Sequence, residues 1–367
     1  MKPLLAAPAV LRFVVTLLLL GEIAFTTACG RSGRNEDNAA SGTSGASGTS
    51  GSSGTSGASG MPGTTGKFWY VNAESKKVGI GDTDANDEWS ESIDETPIGI
   101  AIGAGSAWVL TAKGDVLRYD LATHARTKTI TAAKFPAHIV FAAGAVWVDD
   151  KNDGSPCVSP EEGSTKVLRI DPATDTVTKR IAVSATSTNA CANRVVSLTA
   201  DGPNVYAVID NSFGILRIDT ATSTVAQRMA LGTGAGFGTG GGAAGGGAVW
   251  VHNRTTHALI KVDPVTLAVL STTPVPDTTL VDRMWATADA VYLINKGNLL
   301  RASAADPATQ GTFPLFASLN DLELRDRVLY GFFESLQGTV VAFDPTTLVE
   351  KKRATGLIAP QQVAFIP

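Results

Sequence analysis

The chain has 367 residues, 44% apolar and 17% charged, and its 30 Lys and Arg against 34 Asp and Glu leave a net charge of −4. That balance excludes the basic, phosphate-neutralising face a nucleic-acid binder needs, and the length fits two average domains or one large all-β domain. The 38 glycines ask either for many turns or for a low-complexity tract.

Residues 1–28 carry Lys2 and Arg12, then an apolar run, then the small residues Thr26, Thr27 and Ala28. This order predicts a secretory signal peptide. Arg12 and Glu22 bracket too short an apolar stretch for a membrane span. The ending Thr27-Ala28-Cys29-Gly30 resembles the lipobox of bacterial lipoproteins, which implies cleavage before Cys29 and lipid attachment to its thiol. Several acyl chains on one residue anchor stably where one alone is marginal. By the same resemblance, Gly30 after the cysteine implies an outer-membrane destination, with the protein facing the periplasm or the cell surface.

Residues 29–66 therefore read as the anchor cysteine and a Gly/Ser/Thr-rich tether. Ser41 to Gly60 is a Ser-Gly-small repeat with no apolar surface to bury. A coil of this length and composition reaches roughly 35 Å.

From residue 67 to 367 the chain repeats. An aromatic residue recurs at Trp69, Trp108, Trp147, Tyr206, Trp250, Tyr292 and Tyr330. An Asp-x-x-Thr signal follows every one but the first, beginning at Asp120, Asp171, Asp219, Asp263, Asp306 and Asp344, with Pro second in four of the six. Asp at the first position of such a turn bonds the backbone ahead of it, and Pro presets φ at the second. Strand-like runs flank each turn, for example Lys166 to Ile170 before it and Val177 to Val183 after it, while Ile98 to Ile102 and Ala107 to Leu110 supply two more upstream. Four short strands per repeat of about 43 residues is the arithmetic of a seven-bladed β-propeller with four-stranded antiparallel blades. The first repeat lacks an opening strand, and Ala359 to Pro367 supplies one without a following aromatic strand. The carboxy-terminal strand is therefore expected to complete blade one and remove the open edges.

Ala145 to Val183, with Ala-Val-Trp-Val early and Val-Leu-Arg-Ile-Asp-Pro-Ala-Thr-Asp-Thr-Val later, resembles the YVTN-repeat propellers and their virginiamycin B lyase-like relatives. The resemblance implies the fold over 67–367. The lyase branch implies a Glu-x-His metal arrangement, and no Glu stands two residues before His124, His138, His252 or His257.

Cys157 and Cys191 remain after the anchor. An even pair in an oxidising compartment reads as a disulfide, and both fall in links expected on one face of the third blade. Such a bond would stabilise by about 4 kcal/mol in the chain-entropy model. The tract from Gly232 to Gly247 contains G-x-G-x-x-G, but between strands rather than opening a helix, so it reads as an irregular mobile insertion and not a dinucleotide site. His252 and His257 flank a short turn without a third ligand of fitting spacing. Asp82 to Asn86 lacks the glycine and the bidentate Glu of a calcium loop and reads as an acidic turn. Asp149, Asp150 and Asp153 form a weaker candidate for a hard cation.

Aligning the innermost strands places Gly99, His138, Val195, Arg283, Asp321 and Gln362 at corresponding positions beside the channel mouth. His138, Arg283, Asp321 and Gln362 are the candidate ligand-binding residues. No catalytic residue, metal or cofactor is assigned. The sequence reading is a monomeric, lipid-anchored envelope propeller that binds a protein, peptide or glycan without catalysis. Its alternative is a channel-mouth enzyme of lyase or quinoprotein-like dehydrogenase type.

Overall fold

The chain divides into Met1–Gly60 and Met61–Pro367. The computed structural model describes residues 66–150, 165–183, 195–209, 214–231, 239–275, 283–295, 297–308, 310–334, 338–356 and 360–366, all in the second unit. Cys29, Cys157 and Cys191, the signal peptide and nearly all of the tether lie outside the described residues.

The described residues form seven four-stranded antiparallel sheets and no helix, the propeller that the repeat arithmetic predicts. The innermost strands, in ring order, are β28 (Gln362–Phe365), β4 (Pro97–Gly103), β8 (Ile139–Ala142), β12 (Val195–Asp201), β16 (Thr239–Gly245), β20 (Met284–Ala286) and β24 (Ser318–Arg325). The last strand of the chain, β28, pairs with the first, β1 (Lys67–Asn72), in the register Phe68 to Phe365 through Val71 to Gln362. Amino- and carboxy-terminal strands thus share one sheet, and the ring closes.

The repeated aromatic is the centre of six blades, while Tyr330 of blade seven is half-buried. Trp69, Trp108, Trp147, Trp250, Tyr206 and Tyr292 are fully buried. Trp108, Trp147 and Trp250 each donate Nε1–H to the carbonyl five residues upstream, on Gly103, Ala142 and Gly245, at 3.0–3.1 Å. The indole thereby buries its ring and satisfies its one donor. Adjacent blades interdigitate: Trp108, Leu110 and Val116 of blade two share a core with Ile139, Val146, Val148 and Leu168 of blade three. Truncating such a tryptophan to alanine should cost about 3–5 kcal/mol.

The Asp-x-x-Thr turns perform as their residue types dictate. Asp263 accepts N–H bonds from Val265 and Thr266 and the Thr266 hydroxyl at 2.6–2.9 Å. Asp120, Asp219 and Asp344 do the same for their own threonines. In five of the six turns the residue four after the Asp takes positive φ, at His124, Asp175, Ser223, Leu267 and Leu348, and it donates its N–H back to the Asp carbonyl in the turns at 120, 171, 263 and 344. Blade one, without Asp-Pro, uses Asp82 in this role: its carboxylate accepts from the Asp84 and Asn86 backbone. The segment from Asp82 to Asn86 is therefore a structural acidic turn.

The glycine tract departs from the expected insertion. Its second half, Thr239–Gly245, is the innermost strand of blade five. A Cβ on Gly242 would lie 2.7 Å from Val208, and one on Gly245 2.9 Å from the Ala286 backbone. Glycine is required there because neighbouring strands approach too closely for a side chain.

Candidate functional site

The strand registers define one ring of positions, two residues beyond each blade's aromatic on the second strand. Opposite it stand Gln362 (facing Val71), Gly99 (facing Leu110) and Asp321 (facing Phe332). His138 stands there too, one residue before β8, its carbonyl accepting the Asp149 N–H. Arg283 occupies the corresponding position one residue before β20, whose Met284 pairs with Leu293. In blade four the position belongs to Ser197, facing Val208, and not to Val195. A register shift between Val195 and Ser197 inserts a residue, and Val195 is fully buried in the core between blades three and four.

His138, Ser197, Arg283, Asp321 and Gln362 line one cavity of about 630 Å³ at this mouth, together with Glu323. The four residues singled out from sequence therefore share a single concave site. Most of its polar groups are held by the fold. Asp149, fully buried, accepts the backbone N–H groups of Ala137 and His138 at 2.8 and 2.6 Å and contacts His138 Nδ1 at 3.0 Å. Burial alone would raise the Asp149 carboxyl, but the His138 imidazole and these hydrogen bonds hold it below the usual range. His138 Nε2 has no hydrogen-bond partner among the described residues.

Arg283 reaches beyond its own blade. Its Nη1 donates to the carbonyl of Asn320 and, at 2.9 Å, to that of Gln361. Asp321 is buried and accepts three N–H bonds: from Trp285 Nε1 at 2.8 Å, Leu322 at 2.9 Å and Val363 at 2.8 Å. Burial pushes its carboxyl up while Arg283 and the three donors oppose. Three donors and no acceptor is the hydrogen bonding of a carboxylate.

Glu323, two residues further along the same strand, is the site residue that sequence reasoning missed. It lines the cavity without a hydrogen-bond partner among the described residues, and burial, with the Asp321 charge beside it, pushes its carboxyl up to about 8. At neutral pH it is protonated.

The other candidates separate from this site. Asp150 accepts the backbone N–H groups of Lys134 and Phe135, both at 3.0 Å. With Asp149 it pins the link into β8, so neither carboxylate stands ready for the hard cation considered from sequence; Asp153 lies outside the described residues. Burial lowers His252 to about 4, with Arg254 and His257 adding to the effect, so its imidazole is neutral. Among the described residues no group of three or more His, Cys, Asp or Glu is placed to hold a metal ion.

No protein-family model matches the chain, and no curated protein matches it. Solved structures do match in fold. BamB from Moraxella catarrhalis is 14% identical, with a TM-score of 0.53 over 81% of this chain and 87% of that one. Apo AztD from Citrobacter koseri is 11% identical, with a TM-score of 0.58 over 82% of this chain and 98% of its own. The dihydro-heme d1 dehydrogenase NirN, in complex with DHE, is 12% identical, with a TM-score of 0.55 over 82% and 75%. At such identities the likeness is one of fold.

Proposed function

We propose that this chain is a lipid-anchored module of the bacterial cell envelope whose propeller binds a partner at the channel mouth without transforming it. The observation that carries the reading is the cavity itself. Residues from blades one, three, four, six and seven converge on about 630 Å³, and most of their polar groups are already fixed by the backbone. A preorganised concave site with a few oriented polar groups is the usual form of a binding site. The signal-peptide pattern of residues 1–28, Cys29 and the tether supply the anchor, with the propeller from residue 67 held off the membrane. The partner proposed is a protein or peptide, with a glycan as the alternative ligand. A bond between Cys157 and Cys191 belongs to the same proposal: Asp150, Lys166 and Ala182, which border the two intervening segments, are paired at one end of blade three.

The test is affinity capture of envelope proteins and glycans by the full chain against a chain with His138→Ala and Gln362→Ala. A partner retained by the first and lost by the second, with intact mass showing lipid on Cys29, supports the reading. Identical capture by both chains overturns the channel-mouth site, and an unmodified Cys29 overturns the anchor.

The His138–Asp149 pair favours a second reading. A buried carboxylate fixing Nδ1 leaves Nε2 toward the cavity, which is how a general base is presented. A lyase or dehydrogenase activity that is lost in His138→Ala and independent of Cys29 would replace the binding role.

A further inference from the structure

The channel mouth is lined by two carboxyls, Asp321 and Glu323, with one guanidinium, Arg283, and one imidazole, His138, whose Nδ1 meets the fully buried Asp149 behind it. Arg283 spends Nη1 on two backbone carbonyls, and its charge opposes the effect of burial on Asp321. Asp321, Trp285, Ser197 and His138 Nδ1 all have partners, whereas the Glu323 carboxyl has none among the described residues. Tyr330 is its cross-strand neighbour on β25 (Val328–Glu334) and brings no positive charge. An unpaired, half-buried carboxyl lining a cavity beside a second carboxylate is stabilised most by a cation.

We propose that the channel mouth binds a small organic cation, an ammonium group on a flexible chain, between the carboxyls of Glu323 and Asp321. This rests on the binding-module reading and names the chemistry of its ligand. The ammonium enters charged, Glu323 gives up its proton to solvent, and the two form an ion pair; no bond to carbon is made or broken. The raised Glu323 carboxyl makes the exchange visible, because binding at pH 7 must release close to one proton.

Titration calorimetry on the full chain in detergent tests this with 1,4-diaminobutane and Nα-acetyl-lysine amide, against butane-1,4-diol and succinate. The two amine probes separate a free polyamine from a lysyl side chain of a peptide. Expected are binding of at least one amine, about one proton released at pH 7 in buffers of different ionisation enthalpy, little release at pH 9, and affinity rising about ten-fold from pH 6 to 7. E323Q, which mimics the protonated acid, should weaken the amine at pH 9 by ten-fold or more and abolish proton release, with its melting temperature retained. If E323Q fails to fold, the pH dependence of the unchanged chain carries the test. Diol or succinate binding as tightly as the amines, no amine binding at all, or proton release persisting in E323Q each overturns the proposal. A captured envelope partner together with silent amines would overturn this inference and leave the binding module standing.

Discussion

The carboxylate of Asp321, on the innermost strand of blade seven, accepts the backbone N–H of Val363 on the closing strand at 2.8 Å. Its other oxygen takes Trp285 Nε1 of blade six and its own neighbour Leu322, so one buried side chain ties three blades together where the ring closes. Asp321→Ala would leave three buried donors unpaired, and it should destabilise by about 3–5 kcal/mol. Asp321→Asn keeps one acceptor oxygen and should cost less. Denaturant unfolding measures the order, and the carboxy-terminal strand should become the first proteolytic cleavage point in the alanine variant.

The fold was legible because its signals are local. Each Asp of the turns bonds atoms within four residues of itself, and the aromatic recurs at intervals of 38–44 residues with one of 59, so neither requires knowledge of distant contacts. The ring of channel residues was legible at Gln362 and also at Gly99 and Asp321, which follow register shifts of their own, whereas the register shift after Val195 hid Ser197. Glu323 sits in a Leu-Glu-Leu alternation that reads as an ordinary solvent-facing strand position. Its meaning comes from the channel and from Asp321, which only the closed ring brings together. The strand within the glycine tract was illegible for a related reason, since the need for glycine at 242 is set by Val208 in the preceding blade.

Neighbouring blades are latched at their Asp-Pro turns. Tyr292 Oη and Arg301 Nε both donate to the Pro345 carbonyl at 2.8 Å, while Tyr206 Oη alone among the described donors reaches that of Pro264, also at 2.8 Å. Tyr292→Phe leaves the carbonyl served by Arg301 and should cost about 0.5 kcal/mol, whereas Tyr206→Phe strands its acceptor and should cost about 1–1.5 kcal/mol. Equal losses in parallel unfolding experiments would show that the carbonyl does not need the second donor.

The turn carboxylates set the acid limb of stability. Hydrogen bonds from the threonine backbone and hydroxyl hold Asp120, Asp219 and Asp263 below the usual carboxylate range, and Thr347, Lys351 and Thr346 hold Asp344 lower still. A depressed native pKa contributes stability that is present above the unfolded value and lost as pH falls through the native one. The melting temperature should therefore decline below about pH 4. Replacing all four with Asn, which keeps the accepting oxygen and removes the titration, should flatten that decline without altering the turns; an unchanged slope would assign acid denaturation to other groups.

Glu323 sets the opposite slope. Its folded carboxyl is raised to about 8 by burial and by Asp321, so the folded state holds a proton that the unfolded chain has released between roughly pH 4.5 and 8. Stability contributed by the neutral acid is then full below about pH 4.5 and is lost as pH rises through 8, at no more than about 1.4 kcal/mol per pH unit for one proton. E323Q cannot ionise, so it should unfold with a shallower dependence across this window and gain on the parent chain as pH rises. An ammonium ligand at saturating concentration should rescue the parent chain at pH 8–9 more than at pH 6, because it pairs the charge that burial penalises. Denaturant midpoints at four pH values, with and without 1,4-diaminobutane, read both effects in one series. A parent chain whose stability rises from pH 5 to 8 would place Glu323 in contact with water or with a cation it already holds.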